Sequence, residues 1–268
     1  MNNAKTILLT GACGGIGSET VRMLASRKVQ LILVDRDTAP LQELVASLDG
    51  RRNNIETVAV DLGSQEGRKE VARRVEENHQ GLDVLINCAG INRFGLFADL
   101  DDETIEAMIN INLAAPMLLT RTLLPLLQKS GRGHIINFGS TFGSIGYPGF
   151  VAYSTTKFAI RGFTEALRRE LSDTGVHISY IAPRATKTTI NSGPVYEMNA
   201  AMGIKMDPPS VVAAEIVAII EGGKAVNRYL GWPEKLFVRI NNILPGMVDN
   251  SLRKQLSTIR HFAGLPRS

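Results

Sequence analysis

The sequence predicts an α/β fold, in which a doubly wound parallel sheet has helices on both faces and a helical C-terminal extension follows. Short apolar runs alternate with amphipathic helical stretches along most of the chain, and the connections between them are short. This alternation is typical of a parallel sheet covered by helices. The apolar runs are continuous, which indicates strands that are buried on both faces.

Residue patterns place each element along the chain. The predicted strands are Lys5–Thr10, Gln30–Asp35, Ile55–Asp61, Asp83–Asn87, Gly133–Phe138, Val176–Ala182 and a last strand near Ala225–Leu230. The predicted helices are a first one after Gly17, then Thr38–Leu48, Ser64–Asn78, Asp102–Lys129, Tyr153–Leu171, Pro233–Leu244 and a stretch from Val248 to Ile259. Pro116 is expected to bend the longest helix, because proline removes one helical hydrogen bond.

The composition excludes several classes of protein. The 268 residues are 44% apolar and 21% charged, as in a globular protein with a sizeable core. No window approaches roughly 18 consecutive apolar residues, so no membrane-spanning helix is expected. Cys13 and Cys88 fit no CxxC or paired-metal spacing, and no metal site is predicted. Free cysteines and the lack of a secretory-signal pattern favour a cytoplasmic location.

The net charge of +4 is unevenly distributed. From Lys224 onward the chain has eight Lys or Arg against two acidic residues, so the part before it is slightly acidic. A nucleic-acid-binding protein would have a basic body, so no nucleic-acid partner is predicted. Residues 1–231 are predicted to form one catalytic domain with a lid at about 189–207, and residues 232–268 are an amphipathic, basic extension of it.

A glycine-rich turn joins the first strand to the first helix. Gly11, Gly15 and Gly17 lie in the stretch TGACGGIG at 10–17. Glycine lets the backbone turn tightly and approach a phosphate, and the helix N-terminus offers free N–H groups. The turn therefore predicts a dinucleotide site in a Rossmann-type fold. A glycine turn without a ligand is the alternative, because the spacing differs from the commoner GxGxxG.

Asp35 ends the second predicted strand, where a carboxylate can accept hydrogen bonds from both ribose hydroxyls of an adenosine. A 2′-phosphate would meet that negative charge unfavourably, so NAD(H) is the preferred cofactor. Arg36 could hold such a phosphate, which keeps NADP(H) as an alternative. The ordinary interpretation of Arg36 is a solvated turn residue.

Ser140, Tyr153 and Lys157 are the second chemical signal. Tyr153 and Lys157 are four residues apart and share one helix face, and Ser140 ends the fifth predicted strand. A phenol with its ordinary pKa of about 10 is a poor acid or base near neutral pH. A neighbouring ammonium favours the phenolate and is expected to lower that pKa. The three residues predict a proton-transfer site, although a tyrosine and a lysine one turn apart are usually only a surface pair.

Further motifs accompany these residues in a fixed order. They are TGACGGIG at 10–17, Asp61-Leu62, NCAG at 87–90, Asn112, Ser140 and YSTTK at 153–157. Together they resemble the short-chain dehydrogenase/reductase family of the classical type, over about residues 5–190. The resemblance implies an NAD(P)(H)-dependent oxidoreductase that interconverts a carbonyl and a secondary alcohol by hydride transfer. It also implies a homodimer or homotetramer.

The resemblance assigns roles to the matching positions. Tyr153 would be the general acid/base, and Lys157 would lower its pKa and hold the nicotinamide ribose. Ser140 would orient the substrate carbonyl, and Asn112 would anchor a water that relays protons. The residues expected to bind the cofactor are Gly11, Cys13, Gly14, Gly15, Ile16, Gly17, Asp35, Arg36, Asp61, Leu62, Asn87, Ala89, Gly90, Tyr153, Lys157, Pro183, Thr186 and Thr188.

The chain departs from the family pattern at two positions. Cys88 replaces the usual second Asn of the NNAG stretch, and Arg184 replaces the usual Gly after Pro183. Cys13 and Cys88 are both expected to border the cofactor cleft as small, buried residues. Arg184 is hypothesised to hold an acidic group of the substrate or the cofactor pyrophosphate, and the alternative is a side chain that leans into solvent.

The lid and the tail carry apolar patterns. In the lid, Met198, Met202 and Met206 would share one helix face, which points to an apolar or acyl-type substrate or to ordinary core packing. Aromatic and aliphatic residues expected near them are Phe94, Phe142, Ile145, Tyr147 and Tyr196. The tail has three interpretations: packing on the body or on a partner subunit, a cover over the substrate cleft, or attachment to an anionic membrane surface. Packing is the ordinary one.

Other functional classes fit the sequence less well. A serine hydrolase would need a GxSxG motif around its nucleophile, and a metalloenzyme would need clustered ligands. The remaining alternative is a non-catalytic dinucleotide sensor or scaffold on the same fold. Such a protein need not keep Asn112, Ser140, Tyr153 and Lys157 together, whereas this chain has all four.

Overall fold

A computed structural model of the chain describes residues 4–48, 54–79, 81–191 and 193–264. Its strands are Lys5–Thr10 (β1), Val29–Asp35 (β2), Ile55–Ala59 (β3), Val84–Asn87 (β4), His134–Phe138 (β5), His177–Ala182 (β6) and Asn227–Tyr229 (β7). Its helices are Gly15–Ala25 (α1), Thr38–Ala46 (α2), Gln65–Asn78 (α3), Asp102–Ile109 (α4), Ala115–Lys129 (α5), Val151–Glu170 (α6), Gly193–Ala201 (α7), Pro209–Gly222 (α8), Glu234–Ile243 (α9) and Pro245–Ala263 (α10).

The strands form one seven-stranded sheet in the order β3-β2-β1-β4-β5-β6-β7. Every neighbouring pair is parallel; β1 pairs with β2 on one side and with β4 on the other, where Thr10 faces Asn87. The strand order reverses between β1 and β4, and open α/β sheets bind ligands in the crevice at this reversal. The predicted doubly wound parallel fold is confirmed.

Successive side chains of the strands pack in two separate hydrophobic cores, one on each face of the sheet. On one face, Ile7 and Leu9 of β1 pack with apolar residues of α1, α2 and α8. On the other face, Leu8 packs with residues of α3 and α5, including Val71 and Leu123. Because both faces are covered, the strands need apolar side chains in both directions, which explains their continuous apolar runs.

The predicted long helix over 102–129 is present but changes its winding part-way. The backbone makes a π turn at Asn110–Ala114, between α4 and α5. Pro116 follows directly after the π turn, at the second position of α5, and Pro125 lies inside the helix. The break from α-helical winding is therefore at the segment that contains Asn112, and it precedes Pro116.

Residues 102–129 also form the one helix of the described chain that is long and apolar enough to cross a membrane. Leu119, Leu123 and Leu127 of this helix are buried against the sheet. A core helix passes the same test of length and composition, and this helix packs as one.

The helical extension is present as the two predicted helices, α9 and α10. Pro245 begins α10 rather than only ending α9. Ile259 of α10 is fully buried in an aromatic and aliphatic cluster together with Phe94, Phe150 and Met198. The extension therefore packs on the body of the domain, near the carboxyl ends of the strands.

The methionine prediction for the lid is only partly right. Helix α7 ends at Ala201, so Met202 lies in the following turn and Met206 lies outside the helix. Met198 is buried and Met202 packs against the same cluster. The three methionines do not form one helical stripe, because the segment after Ala201 turns back toward the sheet.

Candidate active site

A cleft of about 1240 Å³ runs along the carboxyl edge of the sheet. The residues that follow β1, β2, β4, β5 and β6 all reach this edge, because the strands are parallel. The predicted site residues that line the cleft are Gly11, Gly14, Ile16, Gly17, Asp35, Arg36, Asp61, Leu62, Ala89, Gly90, Ser140, Tyr153, Lys157, Pro183, Thr186 and Thr188. Most of the site that the sequence predicts is therefore brought together along one groove.

The glycine turn brings backbone from three segments into close contact. Gly11 has a φ of +69°, and a Cβ there would lie 2.7 Å from the Cα of Ala89. A Cβ at Gly17 would overlap the carbonyl oxygen of Gly11. Helix α1 begins just after the N-cap residue Gly14, which offers no capping side chain. The amides of its first turn therefore stay available to an anion in the cleft.

Asp35 is held at the end of β2 by two backbone amides. One carboxylate oxygen accepts a hydrogen bond from the N–H of Cys13 and the other from the N–H of Arg36, both at 2.8 Å. The Arg36 side chain is 76% exposed and reaches Asp37 at 3.4 Å. Burial and the Asp35 charge raise the pKa of the Cys13 thiol to about 12. The thiol is therefore protonated and unreactive near neutral pH.

Four predicted residues do not line the cleft: Cys13 and Gly15, which are partly exposed, and Asn87 and Asn112, which are buried. Gly15 packs against Thr188, and Asn87 is buried in the sheet, where its amide donates to Asn137 and Thr120. Cys88 lines the cleft, and Cys13 lies next to it, because its N–H donates to the cleft residue Asp35. Strand ends alternate in direction, so adjacent motif residues do not all face the ligand.

Asn112 acts on the loop after β4. Asn112 lies in the π turn, and its side-chain oxygen Oδ1 accepts from the backbone N–H of Ile91 at 2.8 Å. Its side-chain nitrogen Nδ2 donates to the backbone carbonyl of Ile91 at 2.9 Å. The amide also donates to the Thr156 hydroxyl at 3.2 Å. Both amide hydrogens are used, so the side chain fixes the segment from 89 to 91 against α6 and cannot donate to a water as well.

Ser140, Tyr153 and Lys157 meet at the centre of the cleft. The Ser140 hydroxyl is close enough to the Tyr153 phenol to lower its pKa, and it accepts from the N–H of Phe142 at 3.1 Å. The Lys157 ammonium lies 5.5 Å from the centre of the Tyr153 ring. It also donates to the carbonyl of Phe138 at 3.0 Å. Two hydroxyl groups and one cation therefore face the same region of the cleft.

The pKa values of this group differ from the sequence prediction. Burial raises the pKa of Tyr153 to about 12, while the nearby Ser140 hydroxyl acts in the opposite direction. Burial also lowers the pKa of Lys157 to about 8. The pKa of Tyr153 is therefore raised rather than lowered as the sequence predicted, because burial disfavours the charged phenolate. At neutral pH the phenol is neutral and the lysine is charged.

Arg184 adopts an arrangement that neither sequence hypothesis anticipated. Its guanidinium binds the carboxylate of Asp207 through two N–O contacts of 2.8 and 2.6 Å. Next to this pair, the N–H of Lys187 donates to the Asp207 carbonyl, and the N–H of Asp207 donates to the carbonyl of Ala185. Arg184 therefore ties together the two ends of the lid, rather than pointing into solvent.

The substrate end of the cleft is aromatic and is covered by the tail. Phe142 stacks on Tyr147 at 4.7 Å between ring centres, and Tyr147 donates to the Gln255 amide oxygen at 3.3 Å. Sequence reasoning missed several lining residues here, which are Phe150, Val195, Phe237, Ile240, Met247, Val248, Ser251, Leu252 and Gln255. The amphipathic stripe of the tail was the available signal. The tail both packs on the body and forms part of the cleft wall.

A family model described as short chain dehydrogenase matches residues 5–197. The chain belongs to the short-chain dehydrogenase family. An uncharacterised oxidoreductase of Staphylococcus saprophyticus is 30% identical to this chain, over 80% of it and 91% of the relative. The ketoacyl reductase HetN of Nostoc sp. is 31% identical, over 93% of this chain and 88% of the relative.

A solved short-chain dehydrogenase from Sphingobium yanoikuyae, in complex with NADPH, has the same fold. It superposes with a TM-score of 0.76 at 26% identity and covers 92% of this chain and 96% of its own. The present short-chain dehydrogenase is thus an oxidoreductase that uses NAD(P)(H). This assigns the enzyme class that the motifs predicted.

The residues of the cleft fit such a cofactor. Asp35 presents a hydrogen-bond acceptor at one end, the free amides at the start of α1 lie between, and the buried Lys157 ammonium is at the other end. This order of acceptor, anion site and donor matches the ribose, pyrophosphate and second ribose of a dinucleotide. When bound, the nicotinamide ring supplies or accepts the hydride.

Proposed function

We propose that this short-chain dehydrogenase interconverts a carbonyl and a secondary alcohol with NAD(H), on an apolar or acyl-type substrate, and that Tyr153 is the general acid/base. The meeting of the Ser140 hydroxyl, the Tyr153 phenol and the Lys157 ammonium in one cleft carries the proposal. A sensor or scaffold on this fold would not need that arrangement.

Tyr153 and Ser140 converge on the place where a substrate oxygen would bind. A phenol whose pKa is about 12 keeps its proton near neutral pH, and it is still a stronger acid than the alcohol that forms when the carbonyl oxygen is protonated. As the carbonyl carbon gains a hydride, the oxygen takes the phenol proton and becomes a hydroxyl. In the reverse direction the phenolate takes the proton of the alcohol. The two donors stabilise the charge that develops on the oxygen.

Lys157 supports this transfer in two ways. Its ammonium is buried and close to the Tyr153 ring, so it stabilises the phenolate once the proton has left. One of its N–H groups is held by Phe138, which leaves others for the hydroxyls of a ribose. Its pKa of about 8 keeps it charged below that pH.

The preference for NAD(H) is based on charge at the adenosine end. Asp35 and Asp37 both line the cleft there, and the Arg36 side chain extends into solvent. A 2′-phosphate would lie near two carboxylates. The Sphingobium relative is in complex with NADPH, so NADP(H) remains the alternative cofactor within this family.

An apolar substrate is favoured by the cleft wall beside Ser140. Phe142, Ile145, Phe150, Val195 and Met198 line this end of the cleft. Apolar walls with few polar groups bind ligands mainly by burying their apolar surface. The name of the Nostoc relative, a ketoacyl reductase, fits the same class of substrate.

We also propose that the enzyme is a homodimer or homotetramer. Val151 and Phe158 of α6 are each 43% exposed, on a helix whose other face builds the catalytic site. Apolar side chains exposed on one helix face are typical of a subunit contact. Sedimentation of the wild type and of a Phe158→Glu variant would test this: a smaller species is expected for the variant.

The decisive experiment is a Tyr153→Phe variant assayed with NADH on a panel of β-ketoacyl thioesters, steroids and cyclic ketones. Removal of the phenol oxygen is expected to lower kcat by about 10²-fold or more. Cofactor affinity, measured by NADH fluorescence, should change by less than about twofold. Tyr229→Phe is the matched control, because Tyr229 packs on Tyr180 outside the cleft. Undiminished turnover in Tyr153→Phe would refute the proposal.

A further inference from the structure

The extension leaves an apolar surface exposed beside the mouth of the cleft. We call it the tail patch, and it consists of Trp232, Leu236, Phe237, Ile243, Leu244 and Met247. Ile243 is 76% exposed, Trp232 71% and Met247 61%, and these are the three most exposed large apolar side chains of the described residues. Six large apolar side chains exposed within one short stretch of chain are typical of an interaction site.

Helix α9 contributes little to the core of the domain. Val238 is its one residue that is fully buried within the described side chains, and Asn241 anchors the helix by donating to the carbonyl of Ser144 at 2.8 Å. Its apolar stripe runs through Leu236, Ile243 and Leu244, which all face outward. Contacts within this chain therefore account for Phe237, Val238 and Ile240 of α9, but not for the three outward-facing side chains.

The extension that carries the tail patch is rich in positive charge. The side chains of Arg239, Arg253, Lys254 and Arg260 are exposed, and none of them forms an ion pair within the described residues. A second copy of this chain would bring the same positive charges to the contact. Nucleic acid would satisfy the charges but not the apolar side chains between them.

We infer that the tail patch docks on a membrane surface rich in anionic lipids. Helices with a basic rim and an apolar face insert that face just below the headgroups, and anionic lipids attract the rim. Tryptophan prefers this depth, because its ring is apolar and its N–H is polar. The charge and the exposed apolar area of the extension match this one partner better than they match protein or nucleic acid.

The position of the tail patch suggests how substrate reaches the site. Phe237 and Met247 belong to the patch and also line the cleft, as does Ile240 between them. A docked enzyme would open its cleft toward the lipid, so an apolar substrate could enter without crossing water. This entry route rests on the proposed function, whereas docking itself does not.

Trp232 is the one tryptophan in the sequence, so its fluorescence reports on the tail patch alone. The wild-type protein is mixed with vesicles of phosphatidylcholine, with or without phosphatidylglycerol, at low and at high salt. With anionic vesicles at low salt, the emission should shift to shorter wavelength and be quenched by lipids with brominated acyl chains. Salt should weaken the binding. This readout requires no turnover, so its failure is distinguishable from failure of the proposed function.

A double variant, Ile243→Ser with Leu244→Ser, removes apolar side chains that lie outside the cleft. It should bind anionic vesicles at least about 10-fold more weakly and retain activity on a water-soluble substrate. Val211→Ser is the control, because Val211 is an exposed apolar side chain on α8, which packs on α1, and it should bind like the wild type.

Three results would overturn the inference. The first is that the wild-type protein does not bind anionic vesicles at low salt. The second is a double variant that binds as tightly as the wild type. The third is a combined result, in which the double variant sediments as a smaller species and the wild type does not bind vesicles. That result would show that the tail patch forms a contact between two copies of the chain.

Discussion

Arg184 and Asp207 form a bidentate ion pair with N–O distances of 2.6 and 2.8 Å, and the pair closes the base of the segment that covers the substrate end of the cleft. Both side chains are about one-fifth exposed, at 19% and 18%. The pair is therefore intermediate between a surface ion pair and a buried one. Arg184 stands at a position where the family resemblance led us to expect a glycine.

We expect Asp207→Asn to destabilise the protein by about 1–3 kcal/mol, between the values typical of exposed and of buried pairs. Urea unfolding measures the loss of stability, and limited proteolysis between residues 188 and 206 measures the loosening of the lid. Glu221→Gln is the control, because Glu221 pairs with Arg27 on the surface, and its cost should stay below about 0.5 kcal/mol. Equal stability of the two variants would contradict a structural role for the pair.

Asp35 provides a test of cofactor choice. Asp35→Asn keeps the shape of the side chain and removes its charge, so the preference for NADH over NADPH in kcat/KM should fall about 10-fold, equivalent to about 1.4 kcal/mol. Steady-state kinetics with both cofactors measure the ratio.

Arg36→Ala separates the two interpretations of the adenosine end. If Asp35 determines the preference, this variant should change KM for NADPH by less than about twofold. A selective loss of NADPH use in Arg36→Ala would instead assign the discrimination to Arg36.

The fold was predictable because its signals are local. Each strand is a continuous apolar run, and Tyr153 and Lys157 are one helical turn apart, so sequence spacing alone places them together. The partner of Arg184 was not predictable, because Asp207 is 23 residues away along an irregular segment. The contact between Tyr147 and Gln255 spans 108 residues and depends on how the extension folds back.

The chemistry of Tyr153 was harder to predict than its position. Its pKa depends on how completely the surrounding side chains exclude water, and no motif records that burial. The π turn around Asn112 escaped prediction for a related reason: its pattern of apolar residues is the same as that of an ordinary helix.

Two glycines allow a test of the phosphate turn against a helix of the same domain. Gly17→Ala should destabilise the protein by about 1–3 kcal/mol, because the new Cβ would overlap the carbonyl oxygen of Gly11 and the backbone must shift. NADH binding should weaken with it. Gly162 lies inside α6 with nothing within 4 Å of an added Cβ, so Gly162→Ala should stabilise the protein by about 1 kcal/mol.

Urea unfolding and NADH titration measure both effects in the same protein. The opposite signs distinguish a steric requirement for glycine from its general flexibility. Destabilisation by Gly162→Ala, or unchanged NADH affinity in Gly17→Ala, would contradict the arrangement described for these positions.

His134 predicts how stability depends on pH. It is 3% exposed on β5, 2.8 Å from the Ser179 hydroxyl, and burial together with the nearby His177 lowers its pKa to about 4. An unfolded chain binds a proton at His134 below about pH 6.5, whereas the folded protein does so only near pH 4. The free energy of unfolding should therefore be unaffected by this group above pH 6.5 and should fall between pH 6.5 and 4, by on the order of 3 kcal/mol.

His134→Gln removes the titrating group and keeps a side chain that can hydrogen-bond Ser179. Urea unfolding at a series of pH values should therefore give a flatter profile between pH 6.5 and 4 than the wild type has, even if the variant is less stable at pH 7. His261→Gln is the control, because His261 is exposed on α10, and its profile should follow the wild type. The pH dependence of the free energy of unfolding between pH 6.5 and 4 could instead be the same in His134→Gln as in the wild type. In that case the acid sensitivity would come from groups other than His134, because the variant has no imidazole to protonate at this position.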